Sequence, residues 1–455
     1  MTSTAVSFHN QAAALAESDP QMAFKLLVSA VEADPAQADS WRSLADTAMN
    51  ANLRDAAVGY YRRYLELRPQ DGRAWVSLGH CLYHRGKIDE ADAATRYALA
   101  LDDSLANGWT NLSLIDSIKG KIKESLAHAK EGFRLDPNPT TELALGFALM
   151  HARRLDVGLR HFEAKLPNKM PQFVNLPWPV WRGEDLTGKT LFVLADQGMG
   201  DTLDFLRFVP QAAVRCNRII FHIQQEMMRL ASLMLVDFSN IDLVPLGQPW
   251  PQADMWIAVT SLPVALGLSS DEIEHAPQLT MPKFADAKAP WLAPGKFNVG
   301  ICWAGNPGND IDRWRSMKLE QFLEFAAVPG VQLYGLQFDQ RRDDIHNLGA
   351  AGVVRDMSRW VRDSLDVSSI IRQMDLVICI ESYIGHLCAA LGKEVWIAYG
   401  WCGGDWRIGR KGQRLVWHPT ARIFYQERTH SWDLVIREIR EALAKRVTTI
   451  KRAAV

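Results

Sequence analysis

The sequence predicts a multidomain chain: an all-α solenoid followed by an α/β module built as two doubly wound halves. Three observations carry that expectation. Trp41, Trp75 and Trp109 recur at intervals of thirty-four residues. Pro167, Pro171, Pro177 and Pro179 then interrupt helix formation. Beyond them, short apolar runs alternate with longer amphipathic segments. At 455 residues the chain also exceeds one ordinary core.

The repeat extends well past its tryptophans. Leu44, Leu78 and Leu112 keep the spacing, as do Ala23, Ala57, Ala91 and Ser125, and Pro35, Pro69, Asp103 and Pro137. The copies beginning WRSLADTAMN, WVSLGHCLYH and WTNLSLIDSI match the tetratricopeptide pattern of Trp, Leu, a small residue and a closing proline. Each copy is a helix pair that buries its apolar face only by stacking on its neighbours. A weaker copy over residues 4–37 lacks the Trp, and a last one, with Leu145, Gly146 and Phe162, slips register by one. The array is therefore assigned to residues 4–168. The repeat tryptophans read as packing residues. Helical spacing puts Arg42, Asp46, Met49, Val76, His80, Tyr83, Thr110, Leu114 and Ser117 on the concave face. That face is either a solvated groove or a docking surface. Arg42, Asp46, His80, Tyr83 and Thr110 are its candidate partner-binding residues.

Residues 169–188 form the proline-rich linker, with Trp178 and Trp181 expected to pin it. The runs TLFVLA, RIIFHI, IDLVPL, DMWIAV, FNVGICWAG, VQLYGLQ, DLVICI and EVWIAYG predict parallel strands buried on both faces. A break over residues 285–296 divides the module into Rossmann-like halves, 189–288 and 289–455. Ligands of such sheets bind at the strand C-terminal ends.

The bulk composition excludes several classes. The 51 basic and 52 acidic residues leave a net charge of −1, so no field favours nucleic acid or an anionic membrane. The N-terminus lacks a secretory pattern, and no apolar run reaches the ~20 residues of a membrane span. A cytoplasmic protein is expected. Cys81, Cys216, Cys302, Cys379, Cys388 and Cys402 form no C-x-x-C pair and read as buried thiols.

The chemistry concentrates in a few stretches. LADQGMGDTLDFLRFVP, from Leu194 to Pro210, carries a turn at Gly198 and Gly200 without the third glycine of a dinucleotide fingerprint. An acid at the helix start would repel a pyrophosphate, so the turn reads as a holder for Asp201. That residue is either a functional carboxylate or a helix cap. In ESYIGHLCAALG, Ser382 is a cap candidate, leaving N–H groups near residues 383–386 free for an anion. Glu381, Gly385 and His386 surround that start. ICWAGNPGNDIDRWRSMKLEQF supplies Arg315 and Lys318 as phosphate partners. Arg313 competes as a solvated loop residue. Asp310-Ile311-Asp312 spells D-x-D but reads as loop, so no metal ligand is assigned. Gln337 at a strand end, and Asp405 and Trp406 in GGDWR, complete the candidate nucleotide contacts. For Trp401 and Trp406, core packing competes with base stacking.

GMGDTLDFLRFVP, VGICWAGNPGNDIDRWRS, ESYIGHLCAALG and GGDWRIGRKGQRLVWHPTARIFYQ resemble the bacterial tetratricopeptide proteins with a C-terminal glycosyltransferase module. That module is similar to the heptosyltransferases, of the two-Rossmann GT-B fold. The resemblance covers nearly the whole chain. It implies a nucleotide-sugar donor, an acceptor hydroxyl, inversion at the sugar, and neither metal nor further cofactor. It also implies that Asp201 is the base and that Glu381-Ser382 and His386 open the diphosphate helix. Glu381 stands for the family's Asp, Ser382 for its Thr, and Tyr383 for its Gly or Ala. The acceptor is a protein or a glycan, and the repeat array docks a protein. The rival reading is a non-catalytic adaptor with a degenerate module. A nicotinamide oxidoreductase is disfavoured by the missing glycine.

Overall fold

The computed structural model describes residues 3–165, 176–278, 291–309, 312–401, 404–409, 415–427 and 431–453. It comprises two compact units, Met1–Ala152 and Arg153–Val455.

The first unit is a stack of antiparallel helix pairs. Its helices are α1 (Ser3–Leu15), α2 (Pro20–Ala33), α3 (Ala38–Asn50), α4 (Arg54–Leu67), α5 (Gly72–His84), α6 (Ile88–Leu101), α7 (Ala106–Ile118), α8 (Ile122–Leu135) and α9 (Pro139–His151). The periodicity of the sequence thus becomes a periodicity of helix starts. Asp19 and Asp71 begin α2 and α5 by accepting backbone N–H bonds from Met22 and Ala74. Asn138 and Thr141 form a capping box on α9. The helices approach closely because the crossing positions are small. A Cβ on Gly79 would sit 2.4 Å from the Thr95 hydroxyl, and Ala45, Ala57, Ala74 and Ala91 are fully buried. The repeat tryptophans are structural, as expected. Trp41, Trp75 and Trp109 donate their indole N–H to the carbonyls of Pro35, Pro69 and Asp103 at 2.9, 2.9 and 2.8 Å.

The unit boundary at Ala152 and Arg153 falls inside the last copy that the sequence assigns to the array. The next helix, α10 (Leu155–Phe162), belongs to the second unit. It is held there by a buried pair. Lys165 lies 2.7 Å from Asp196 and donates to Thr260 at 2.9 Å, with its ammonium over the Phe162 ring.

The second unit holds two all-parallel sheets. The first contains β1 (Leu186–Leu194), β2 (Cys216–Ile223), β3 (Ile241–Pro245) and β4 (Met255–Ala258), in the order β3-β2-β1-β4. The second contains β5 (Phe297–Cys302), β6 (Val331–Gly335), β7 (Val354–Asp356), β8 (Leu376–Ile380), β9 (Val395–Tyr399) and β10 (Ala421–Tyr425), in the order β10-β9-β8-β5-β6-β7. Every run read as a strand forms one. β7 and β10 were not anticipated. They are the two edges of their sheet, and their mixed burial breaks the apolar signal. Helices relevant below are α11 (Met199–Phe205), α12 (Ser364–Gln373), α13 (Tyr383–Ala390) and the terminal α14 (Asp433–Ala453).

The proline-rich approach to β1 is anchored where it is described. Trp181 is buried, its backbone N–H donates to the Trp256 carbonyl while the Trp256 N–H donates to the Pro179 carbonyl, and Trp178 packs on Phe192. Pro167 and Pro171 lie outside the described residues, as do Asp310, Ile311 and Cys402. The other five cysteines are free thiols, and four of them are buried. Among the described residues, no helix is long and apolar enough to cross a membrane.

Candidate functional site

The middle strands of the two sheets run their C-terminal ends toward one place. β1 leads through the glycine turn into α11, and β8 leads through Glu381 and Ser382 into α13. The two helices touch because Gly200 has no side chain. A Cβ there would sit 2.8 Å from Cδ2 and 3.2 Å from Nε2 of His386. Gly200 is therefore a close-approach glycine. Gly198 begins α11 with extended backbone and open space around it.

Across this contact runs a buried charge cluster. Asp204, on the inner face of α11, is 1% exposed. It accepts from His386 Nδ1 at 2.9 Å and from Arg407 Nη1 at 2.8 Å. Burial alone would raise its carboxyl, but His386 and Arg407 outweigh that and hold it far below the usual range. His386 responds in the opposite sense. Burial lowers it, yet Asp204 leaves it raised. His418 Nδ1 lies 2.7 Å from the Val416 carbonyl and so carries the proton there. Its Nε2 lies 3.0 Å from His386 Nδ1, whose single proton it shares with Asp204. Burial keeps His418 neutral, with its pKa lowered to about 4.

Arg407 is the hub. It meets Asp405 through Nε and Nη2, Asp204 through Nη1, and Asp201 at 3.0 Å. Burial would lower Arg407, but its three carboxylates hold it well above its usual range. Asp405 goes the other way, to about 2: burial opposes ionisation and Arg407 overcomes it. Asp201 stands at the rim with a third of its side chain exposed, 34%. Gly198, not Asp201, is the cap residue of α11, so Asp201 occupies the first turn proper.

The neighbouring edge contains Glu381 and Arg315. Glu381 accepts from Arg315 Nη1 at 3.1 Å, while its other oxygen is buried with no partner among the described residues. Burial pushes this carboxyl up. Among the described residues the Nε of Arg315 also has no hydrogen bond, with Asp312 at 3.7 Å. Ser382 holds the N-cap position of α13 with extended backbone, as expected, but its side chain makes no capping bond. Among the described residues, the first N–H groups of α13 accordingly have no side-chain partner. Tyr383 turns its buried hydroxyl toward Ser364 at the start of α12, and that hydroxyl makes no hydrogen bond among the described residues.

Several candidates serve packing. Gly385 faces Ile397 and Cys379 of the sheet. Gln337 clamps the Ala304 backbone through both amide ends and donates to Asp339. Trp406 is buried edge-on against Trp417, which packs on Phe205 and Phe208 and donates to the Ile273 carbonyl. Lys318 is exposed before a short helix and joins no ion pair among the described residues.

On the repeat array, Arg42 bonds both Asp46 and Asp71, and Tyr61 donates to Asp46. These side chains staple successive helices. His80 and Tyr83 both pack near His84. Thr110 is a correction. It is buried against Gly132, and its hydroxyl bonds back to Ala106, so it is closed to a partner.

Asp204, Arg407 and His418 were not picked out from the sequence. A faint signal existed for the first: Asp201 and Asp204 are three apart on one helix, so an acid sits on an otherwise apolar face. Two buried trios, Asp204 with His386 and His418, and Glu381 with His386 and Asp405, have ligand-type atoms within 4.8 Å. Of these side chains, Asp204 and Asp405 are already bonded to Arg407.

No family model matches the chain. The chain is similar to Protein FlbA of Caulobacter vibrioides, with 22% identity over 459 residues, 93% of this chain and 76% of that one. It is also similar to the general transcriptional corepressor ssn6 of Schizosaccharomyces pombe, with 29% identity over 126 residues, 26% of this chain and 11% of that one. Among solved structures, MamA matches at 18% identity and a TM-score of 0.33, over 39% of this chain and 100% of that one. TTC0263 of Thermus thermophilus matches at 18% identity and a TM-score of 0.32, over 38% of this chain and 94% of that one.

Proposed function

We propose that the second unit is a glycosyltransferase and that the helical array docks its protein acceptor or a protein partner. The observation that carries this reading is the meeting of two parallel-sheet edges at Asp204 and His386, with Asp201 on the open rim. Strand C-terminal ends facing each other across a shared site suit a ligand held by one half and attacked from the other.

In this reading the diphosphate of a nucleotide-sugar lies at the start of α13. The uncapped N–H groups there and Arg315 face its charge. Glu381, pushed toward its neutral form, donates to a donor oxygen through its unpartnered side. Asp201 takes the proton of the acceptor hydroxyl as that oxygen attacks the anomeric carbon. Arg407 fixes the orientation of Asp201 and contributes the positive charge that a metal supplies elsewhere. The bond between the anomeric carbon and the diphosphate oxygen breaks as the new one forms, the nucleoside diphosphate leaves with that electron pair, and the direct displacement inverts the sugar centre.

The test is nucleotide release from a panel of nucleotide-sugars, with and without candidate acceptors. Release by the parent chain that Asp201→Asn abolishes supports the reading. No release with any donor, together with no thermal shift from any nucleoside diphosphate, rejects it and leaves the adaptor reading.

A further inference from the structure

The helical array contains a gap that its own periodicity exposes. In the first full repeat the Trp41 ring is covered by Tyr60 of the paired helix, with centroids 6.0 Å apart and planes tilted by 37°. In the third, Trp109 is covered by His128, at 5.4 Å and 40°. Tyr60 and His128 occupy the same repeat position. In the second repeat that position is Ala94. Trp75 therefore lacks the ring that its two counterparts carry. Tyr97, one turn further along α6, meets Trp75 only edge-on, at 5.0 Å and 71°, and stays 42% exposed. A cavity of about 650 Å³ is left over Trp75, walled by Leu65, Leu78, Leu82, Ala94 and Tyr97.

We propose that this crevice receives an aromatic side chain of a partner polypeptide, seated over Trp75 as Tyr60 and His128 are seated over Trp41 and Trp109. The neighbouring repeats show which chemistry fits: a flat ring, tilted on the indole. The floor offers no polar anchor, because the Trp75 N–H is already bonded to the Pro69 carbonyl. A free metabolite with a charged head would find nothing buried to hold that head. A side chain carried on a polypeptide needs only the apolar slot, and the charged residues of the lining, Arg62, Glu66 and Glu90, are all solvent-exposed. Arg62 and Glu90 pair at 2.6 Å between α4 and α6, both about half exposed, where a bound backbone would run. The site lies between α4, α5 and α6 and is independent of the glycosyltransferase reading.

The test uses the full chain labelled with 5-fluorotryptophan, with the Trp75 resonance assigned through Trp75→Phe. The probes are N-acetyl-L-phenylalanine amide and N-acetyl-L-leucine amide, titrated to about 20 mM, since one side chain binds weakly by itself. The Trp75 signal is expected to shift saturably with the aromatic amide, about fivefold more tightly than with the aliphatic one, while Trp41 and Trp109 stay still. Ala94→Tyr restores the missing ring and should weaken binding at least about tenfold, with Ala94→His as the alternative if the Tyr variant does not fold. A non-saturable shift in the parent chain, equal affinity for the leucine amide, or undiminished binding in a folded Ala94 variant would overturn the proposal.

Discussion

Gly200→Ala is the sharpest test of how the two sheet edges are joined. The added methyl would sit 2.8 Å from Cδ2 and 3.2 Å from Nε2 of His386, well inside ordinary contact. His386 cannot swing aside freely, because its Nδ1 is bound to Asp204 at 2.9 Å and to His418 at 3.0 Å. Relief requires either moving α11 off α13 or breaking a charge-assisted bond. Overpacking of this kind costs about 1–3 kcal/mol, and one such bond is worth a similar amount. A unit of some three hundred residues unfolds with an entropy of ~0.6 kcal/mol per kelvin, so about 2 kcal/mol lowers its transition by about 3 °C. Scanning calorimetry of the full chain reads this, because the two units can unfold separately. The first unit's transition should not move. A second-unit transition within about 0.5 °C of the parent would refute the claim that Gly200 is there for close approach.

Other outcomes follow from the same geometry. Asp201→Asn should lose at least about a hundredfold in turnover with the fold kept, since base catalysis contributes ~10²–10⁴-fold and loss of a part-exposed first-turn charge costs only about 0.3–1 kcal/mol. Turnover within a few-fold of the parent rejects Asp201 as the base. Arg315→Ala should weaken nucleoside diphosphate binding at least about tenfold, and exposed Lys318→Ala less, as read by titration calorimetry. Lys165→Met strands the buried Asp196 carboxylate and should cost about 3–5 kcal/mol, and equal stability of the variant in denaturant would count against a buried pair. His418, neutral in the fold with a pKa of about 4 against about 6.5 when unfolded, makes the unfolded chain bind more protons between those values. Stability should therefore fall as pH drops from about 6.5 to 4. His418→Gln should flatten that limb, and an unchanged pH profile in the variant would exclude His418 as its source.

Periodic features were legible in the sequence for a simple physical reason. A helix pair that must stack on copies of itself repeats its small and apolar residues at one fixed interval, so Trp41, Trp75 and Trp109 announced the array directly. Parallel strands buried on both faces announce themselves as apolar runs, and all eight that were read are strands. The two edge strands, β7 and β10, were not legible, because an edge exposes one side and loses the run. Gly198-Met199-Gly200-Asp201 was legible as a turn that presents a carboxylate, and Glu381-Ser382 as the start of a second helix.

What the sequence determined by itself is thus local: which segments are helices or strands, and which loops end them. The tertiary structure alone decided which charges meet. Asp204, His386, Arg407 and His418 are separated by up to 214 positions, and nothing in their spacing pairs them. They converge because parallel sheets bring loops from distant strands to one edge. Once there, burial makes each charge depend on the others. Asp204 holds its charge only because His386 and Arg407 answer it, and Arg407 is tolerable in the interior only among three carboxylates. The gap over Trp75 has the same origin: an alanine is unremarkable in a helix, and becomes a cavity only when the stacked neighbours show what is missing.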